Sequence, residues 1–563
     1  MEKRTVIAFA LSFVVLLVWS TLFAPTGERQ RSEPTSPEQA TEKVETKAGK
    51  DPGEEPSPAP SPPQPETGPP DPIVSPAEPA SEKRGEEIRI ETPLYSAVWN
   101  SAGGILKSFK LKAYRQRPDP DSPPVDLAHL NGVQGGLLGL HFAPRPEGGP
   151  IMYNADKTSI KLEEGSNPQE LTLAGRTEDG LALEHTFRFH PDSYRIEVRT
   201  RVINNGEEPV EGAVAAELRN IPPESRQSYY GFVGLAVLLG NDVEELKPKD
   251  LKEEQKRLSG PVKWMAFEDD YFIAAVVPQD GGRGSFLGRR LPSGAVNGFY
   301  FKPSVRLNPQ ESASSRLALY MGPRDLTMLK AFGNDLDKAL SFGFTDVIAK
   351  PLLHVLRFFN NYVHNYGFSI IILTVLIKIL FWPLTHKSYK SMKEMQKIQP
   401  LMAKIREKYK GDKEQMNREL MQLYKTYKVN PMGGCLPMLI QIPVFLALFR
   451  ILSSSIELRH APFILWIDDL SAPDRLLTFP FDIPFMASPS GIPVLTLLMG
   501  ASMFLQQKMS PAPGDPTQAK IMMFLPLIFT FVFINFPSGL VLYWLTNNLL
   551  SIGQQYRILK QTG

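Results

Sequence analysis

Lys378 limits what this chain can do more than any other residue. It lies inside Gly367–Leu384, GFSIIILTVLIKILFWPL, an apolar run of membrane-span character. A basic side chain at the centre of a span costs about 2.5–3.5 kcal/mol on insertion scales. Thr374 lies four residues earlier and shares its helix face. Other apolar segments contribute Gln441, Ser502, Gln506, Thr530, Asn535 and Asn547, but no Asp or Glu. Proton relays and ion-coupled carriers usually need intramembrane carboxylates, so the composition argues against them. Two readings of Lys378 stay open. It precedes Trp382 by four residues, about 6 Å of axial rise, so its stem could reach the interface and anchor the span. Alternatively it stands in a water-filled groove and attracts acidic or polar parts of a passing chain.

Little else in the chain suggests covalent chemistry. The single cysteine, Cys435, excludes an intramolecular disulfide framework and has no Cys or His at metal-ligand spacing. Gly282-Arg283-Gly284-Ser285 lacks the flanking elements and the Gly-Lys-Ser/Thr of a phosphate loop. His185 and His190 read as ordinary strand residues. Trp264, Phe267, Tyr271 and Phe272 could line a sugar-binding cleft but fit a core better. The sequence therefore predicts no cofactor, no metal, no nucleotide site and no enzyme.

The elements that must position Lys378 follow from the pattern. Residues 1–24 form an uncleaved anchor, with Lys3 and Arg4 holding its start in the cytoplasm. Residues 25–85, rich in Pro, Glu, Ser, Lys and Thr and without aromatics through Arg84, form a disordered tether. Residues 86–340 switch to period two. Strands are expected at Ile88–Glu91, Leu94–Asn100, Ile105–Leu111, Leu181–His190, Tyr194–Val202, Phe272–Val277, Val296–Phe301 and Ser315–Tyr320, as in a large β-sandwich. One helix, Asp325–Leu340, is expected to close it. Residues 341–360 have the apolar spacing of an interfacial amphipathic helix. A span at 361–383 leads to a polar hairpin, 384–432, in which twelve basic residues face five acidic ones. Its expected seam is Met395, Ile398, Met402, Ile405 and Tyr409 against Met416, Leu420, Leu423 and Tyr427. Further spans are expected at 433–455, 493–509, 521–536 and 540–557, around an acidic loop at 456–492 and a turn at 510–520, with a tail at 558–563. The last three spans look short for a hydrocarbon core about 30 Å thick. With the N-terminus inside, the hairpin, Lys508, Lys520, Arg557 and Lys560 also fall inside, in keeping with the positive-inside rule.

At this point particular stretches become recognisable. Asn365–Ile370 (NYGFSI), Pro383-Leu384-Thr385, Asn430–Pro443 (NPMGGCLPMLIQIP) and Phe536–Trp544 (FPSGLVLYW) resemble the YidC family of membrane protein insertases. The anchor, tether and β domain resemble its Gram-negative architecture, so the likeness spans essentially the whole chain. It implies a multi-domain membrane protein: an α-helical polytopic core with six transmembrane helices in total, a large all-β periplasmic super-sandwich domain and a cytoplasmic helical hairpin. It also implies a hydrophilic groove open to cytoplasm and lipid. Lys378 matches the groove's basic position, where arginine is common; lysine keeps the charge and loses the planar fork. Thr374, Gln441, Tyr543 and Trp544 resemble groove positions, and Phe445, Met499, Met503 and Phe529 match a substrate-facing slide. The implied partners are nascent membrane proteins, the Sec translocon and its accessory subunits, ribosome or targeting factors at the hairpin and tail, and anionic lipids. No direct nucleic-acid contact is implied. The implied location is the bacterial inner membrane, with both termini cytoplasmic and the large domain periplasmic.

Overall fold

The computed structural model describes residues 85–560, except 131, 134, 144–149, 223–231, 252–254, 282, 430–435 and 510–515. The expected anchor at 1–24 and all but the last residue of the expected tether lie outside the described residues, as do Cys435 and residues 561–563. All described residues belong to one compact unit, Pro72–Gly563.

From Glu87 to Pro323 the chain is almost entirely β. One sheet runs through Ser159–Lys161, Glu87–Glu91, Tyr95–Asn100, Ile105–Arg115, Leu138–Ala143, Val210–Asn220, Val296–Phe301 and Arg283–Arg290. The other runs through Tyr153–Ala155, Gln169–Arg176, Leu181–Phe189, Arg195–Asn204, Ser312–Pro323, Phe272–Pro278, Gly234–Leu239 and Asp242–Leu246. Lys256–Glu268 belongs to both. Its first half pairs with Arg283–Arg290, and its second half inserts between Phe272–Pro278 and Gly234–Leu239. Side chains alternate along the strands, so each sheet turns an apolar face inward. Trp99, Phe109, Phe187, Phe189 and Trp264 fill the space between them.

Trp264, Phe267 and Phe272 are buried, as the core reading expects. His185 is fully buried, 3.0 Å from Tyr153 Oη and 3.0 Å from Thr200 Oγ1. Burial lowers its pKa to about 3, so it is a neutral packing residue. His190 lies just past the strand end at Phe189. The expected Asp325–Leu340 helix is interrupted. Helix α1 (Leu326–Phe332) starts under an Asp325 cap and stops at Gly333, which has φ 85°. Asn334 and Asp335 also have positive φ, and the chain resumes as a 3-10 turn at Leu336–Ala339.

Helix α2 (Asp346–Val363) ends at His364, which adopts the left-handed conformation. Helix α3 (Tyr366–Leu380) begins under Asn365, whose side chain accepts the Phe368 N–H. Residues 361–363 therefore belong to α2 rather than to the Lys378 span. Pro383 brings no N–H and cannot continue the ladder. The chain bends by 65° at Phe381 into helix α4 (Trp382–Lys408). Helix α5 (Lys413–Thr426), capped by Asp412, packs back on α4 through Ile398, Met402 and Leu420. Tyr424 takes the place expected for Tyr427, which is 51% exposed.

Helices α6 (Leu436–Ser454), α7 (Val494–Met509), α8 (Pro516–Phe533) and α9 (Ser538–Lys560) complete the core. With 23 residues, α9 is longer than expected, while α7 has 16. Among the described residues no single helix is long and apolar enough to cross a membrane by itself. The bent pair α3–α4 passes together, and Gln441–Ser454 and Met522–Phe533 are shorter apolar segments. Polar side chains inside α9 are what dilute its hydropathy, and they form the site.

Candidate functional site

Helix α3 buries one face: Gly367, Ile370, Leu373, Thr374, Ile377 and Lys378. This face meets the second half of α9, where Asn547, Ser551 and Gln554 recur at helical spacing. Lys378 Nζ donates to Asn547 Oδ1 at 3.3 Å and to Ser551 Oγ at 2.5 Å. At 6% exposure Lys378 turns inward to α9, which sets aside the reading in which it reaches the interface. Gln441 on α6 donates to the same Asn547 Oδ1 at 3.3 Å. Three helices thus converge on one amide oxygen.

The polar column continues along α9. Asn548 donates to Ser502 Oγ on α7 at 3.0 Å. Gln554 Nε2 donates to Thr385 Oγ1 on α4 at 2.9 Å, and Gln555 reaches the Met509 carbonyl at 2.8 Å. A small pocket at this end is lined by Tyr389, Met392, Lys393 and Gln396 of α4, Met509, and Gln555 and Ile558 of α9. Among the described residues the hydrogen-bond partners of Lys378, Asn547 and Ser551, are both neutral. Its charge is solvated by dipoles rather than cancelled by a carboxylate.

Towards the other end of α9 the lining becomes aromatic. Trp544 lies 4.9 Å from Phe445, 4.8 Å from Phe533 and 5.8 Å from Phe529, centroid to centroid. Phe533 stacks on Phe536 at 4.6 Å, and Phe536 meets Phe449. Tyr271 Oη of the β domain donates to the Ser453 carbonyl at the end of α6, so the aromatic half lies nearer the β domain. The polar half lies nearer the α4–α5 hairpin.

Of the expected site residues, the structure gathers Lys378, Gln441, Phe445, Phe529 and Trp544 around α9. Thr374 is buried on the same face of α3 as Lys378, and its hydroxyl donates to the Ile370 carbonyl at 2.6 Å. Tyr543 is buried in the helix packing. Met503 is half-buried. Met499 is fully buried on α7. Sequence reasoning passed over Ser551, Gln554, Gln555, Thr385 and Phe533 as site residues. The 4, 3 spacing of Asn547, Ser551 and Gln554 was available as a signal.

A β-sandwich is thus joined to a helical core with a cationic, hydroxyl- and amide-lined interior. Residues 87–355 match the YidC periplasmic domain, and residues 358–563 match the 60Kd inner membrane protein. The membrane protein insertase YidC of Pelobacter propionicus is 43% identical over 568 residues, covering 100% of this chain and 99% of that protein. That of Syntrophus aciditrophicus is also 43% identical, covering 100% of both. The crystal structure of an active YidC insertase with its first transmembrane domain resolved aligns over 85% of this chain and 93% of that one, at 21% identity and a TM-score of 0.37. The chain belongs to the YidC family, inner-membrane insertases with a periplasmic domain, which are not enzymes.

Proposed function

We propose that this protein inserts nascent membrane proteins through the interior bounded by α3, α6, α7 and α9, with Lys378 as its cationic point. The observation that carries this reading is a buried ammonium held by Asn547 and Ser551 with no carboxylate partner among the described residues. A substrate's polar tail or short loop enters from the hairpin end, where the lining is polar. Dipoles and water there lower the desolvation cost of its passage. The aromatic half around Trp544 closes the path towards the β domain and offers the substrate's apolar segment a surface on its way into lipid. Phe445, Met503 and Phe529 make up that slide. No covalent step or nucleotide enters the cycle.

The orientation follows from charge. The α4–α5 hairpin, Lys508, Lys520, Arg557 and Lys560 lie on the cytoplasmic side, and the β domain and acidic loop on the other. Six spans result: the segment at 1–24, α3, α6, α7, α8 and α9. Helix α2 lies along the outer interface, exposing Phe344 just before it and Val347, Phe358 and Tyr362 along it. Helix α7, at 16 residues, spans about 24 Å and locally thins the bilayer. The hairpin and tail receive ribosomes or targeting factors, its basic face meets anionic lipid, and the protein acts alone or beside the Sec translocon.

The test is complementation of a strain depleted of its own insertase, scored by insertion of a substrate with an acidic translocated tail. Lys378→Arg is expected to support insertion and Lys378→Ala to reduce it, with a neutral-tailed substrate less affected. Equal insertion of both substrates by Lys378→Ala would remove the electrostatic part of the reading.

A further inference from the structure

The loop between α6 and α7 turns an unusual share of its apolar side chains outward. Leu465 is 81% exposed, Phe485 83%, Phe481 61% and Leu477 59%. Leu465 and Phe485 also adopt positive φ, 59° and 66°. Bulky residues rarely occupy that region and do so at a cost, so the surrounding contacts hold both in place against their local preference.

Those contacts are well defined. Asp474 is buried, accepts Trp466 Nε1 at 2.5 Å and also caps the Leu495 N–H at the start of α7. Arg475 donates to the Ile534 carbonyl at 3.0 Å, and the Asn535 side chain is bonded to both Ala487 N and the Phe485 carbonyl at 2.7 Å. Asp474 and Arg475 of the loop are held inward by these bonds, while Leu465, Leu477, Phe481 and Phe485 turn outward.

Its two ends rest on helices whose exposed faces are themselves apolar. Phe463 packs edge-on against Phe368 of α3 at 5.2 Å, and Phe485 lies 6.2 Å from Phe531 of α8. Phe368 is 43% exposed and Phe531 58%, alongside Leu527 and Ile528 of α8. In an inner-membrane protein this is the surface that meets acyl chains, and the loop adjoins it at Phe368 and Phe531.

We infer that this loop is a lipid-seated wedge: Leu465, Leu477, Phe481 and Phe485 sit in the headgroup–acyl boundary of the leaflet at that end of the helices. Asp468 and Asp482 are exposed on the same loop and set the depth, because carboxylates stay at headgroup level. The wedge adds apolar height beside α7, which has only 16 residues, so the bilayer meets a continuous apolar wall where that helix ends. Its assignment to the outer leaflet rests on the orientation proposed above; its seating in lipid does not.

The test uses the full-length protein with Cys435 replaced by Ser, in phosphatidylcholine nanodiscs. Nitroxide labels are placed singly at 465, 477, 481 and 485, and at 468 and 482. Accessibility to oxygen is compared with accessibility to a water-soluble nickel chelate. The wedge predicts an oxygen-to-nickel ratio several-fold higher at the four apolar sites than at 468 and 482, and the same ordering in Lys378→Ala protein. Nickel access at 465 and 485 equal to that at 482 would overturn it, as a water-facing loop. So would exclusion of both reagents there, as a surface covered by protein. Because Lys378→Ala disables only the proposed groove, failure of the groove reading and failure of the wedge remain distinguishable.

Discussion

Lys378 Nζ donates to Ser551 Oγ at 2.5 Å, joining α3 to α9 deep in the helical core. The Ser551 hydroxyl hydrogen is committed to the Asn547 carbonyl at 2.7 Å, which leaves its lone pairs to the ammonium. With Asn547 Oδ1 as the second acceptor, two acceptors among the described residues face three donors. The remaining donor is available to water or to the carbonyl or carboxylate of a passing chain.

Replacing Asn547 by Leu removes an acceptor shared by Lys378 and Gln441. A hydrogen bond to a charged group is worth about 1.5–3 kcal/mol. Asn547→Leu is therefore expected to lower the thermal midpoint in detergent, whereas Asn547→Ser is expected to lower it less. Unfolding followed by far-UV circular dichroism checks this.

Gly500 on α7 faces Thr530 on α8, and a Cβ at Gly500 would collide with the Thr530 hydroxyl. Overpacking of this kind costs about 1–3 kcal/mol. Gly500→Val is expected to destabilise the core, and adding Thr530→Ala should recover part of the loss. A double-mutant cycle in thermal stability measures the coupling.

Arg357 of α2 ties the β domain to the core. It donates to Asp325 Oδ2 at 3.0 Å and Thr327 Oγ1 at 2.8 Å, and pairs with Glu457 beyond α6. Arg357→Ala leaves two carboxylates facing each other without their cation. Amide exchange is expected to rise in α1 and at the start of the α6–α7 loop, with little change in the sheets.

The β domain carries a pH signature. Burial raises Glu268 from 4.5 to about 7, with Arg324 opposing, and raises Asp270 from 3.8 to about 7. Glu268 Oε2 lies 3.4 Å from Arg324 Nε. A carboxyl whose folded pKa is raised binds its proton more tightly in the folded state. Its contribution is fully present below the unfolded pKa and is lost as pH rises through the folded one. Stability of the β domain is expected to fall between about pH 4.5 and pH 7, and Glu268→Gln should flatten that slope. A steeper slope in the Gln variant would contradict the assignment.

The helices of the core were legible because apolar runs broken by Pro383 and Pro537 leave few alternatives. The Lys378–Thr374 face followed from helical spacing. Ser551 and Gln554 were missed because α9 was counted as a span by its apolar residues, and its polar stripe becomes visible only when plotted at 3.6 residues per turn. Among the strands, Leu181–Phe189 and Arg195–Asn204 alternate cleanly and were found. Val210–Asn220 is buried on both faces and rich in alanine, so it shows no alternation. Lys256–Glu268 serves two sheets and changes its pattern midway. The interruption at Gly333 was written in the sequence, since a glycine followed by Asn-Asp favours left-handed conformations.

The central claim is that a nascent chain passes Lys378. A photoreactive residue placed singly at 374, 441, 445, 503 and 551 in full-length protein, challenged with a ribosome-stalled membrane protein of stepwise increasing length, tests it most directly. The account predicts crosslinks from 441 and 551 to the polar tail at short lengths, and from 445 and 503 to the apolar segment at longer ones. Crosslinks at none of these positions, while the stalled chain still inserts, would contradict it.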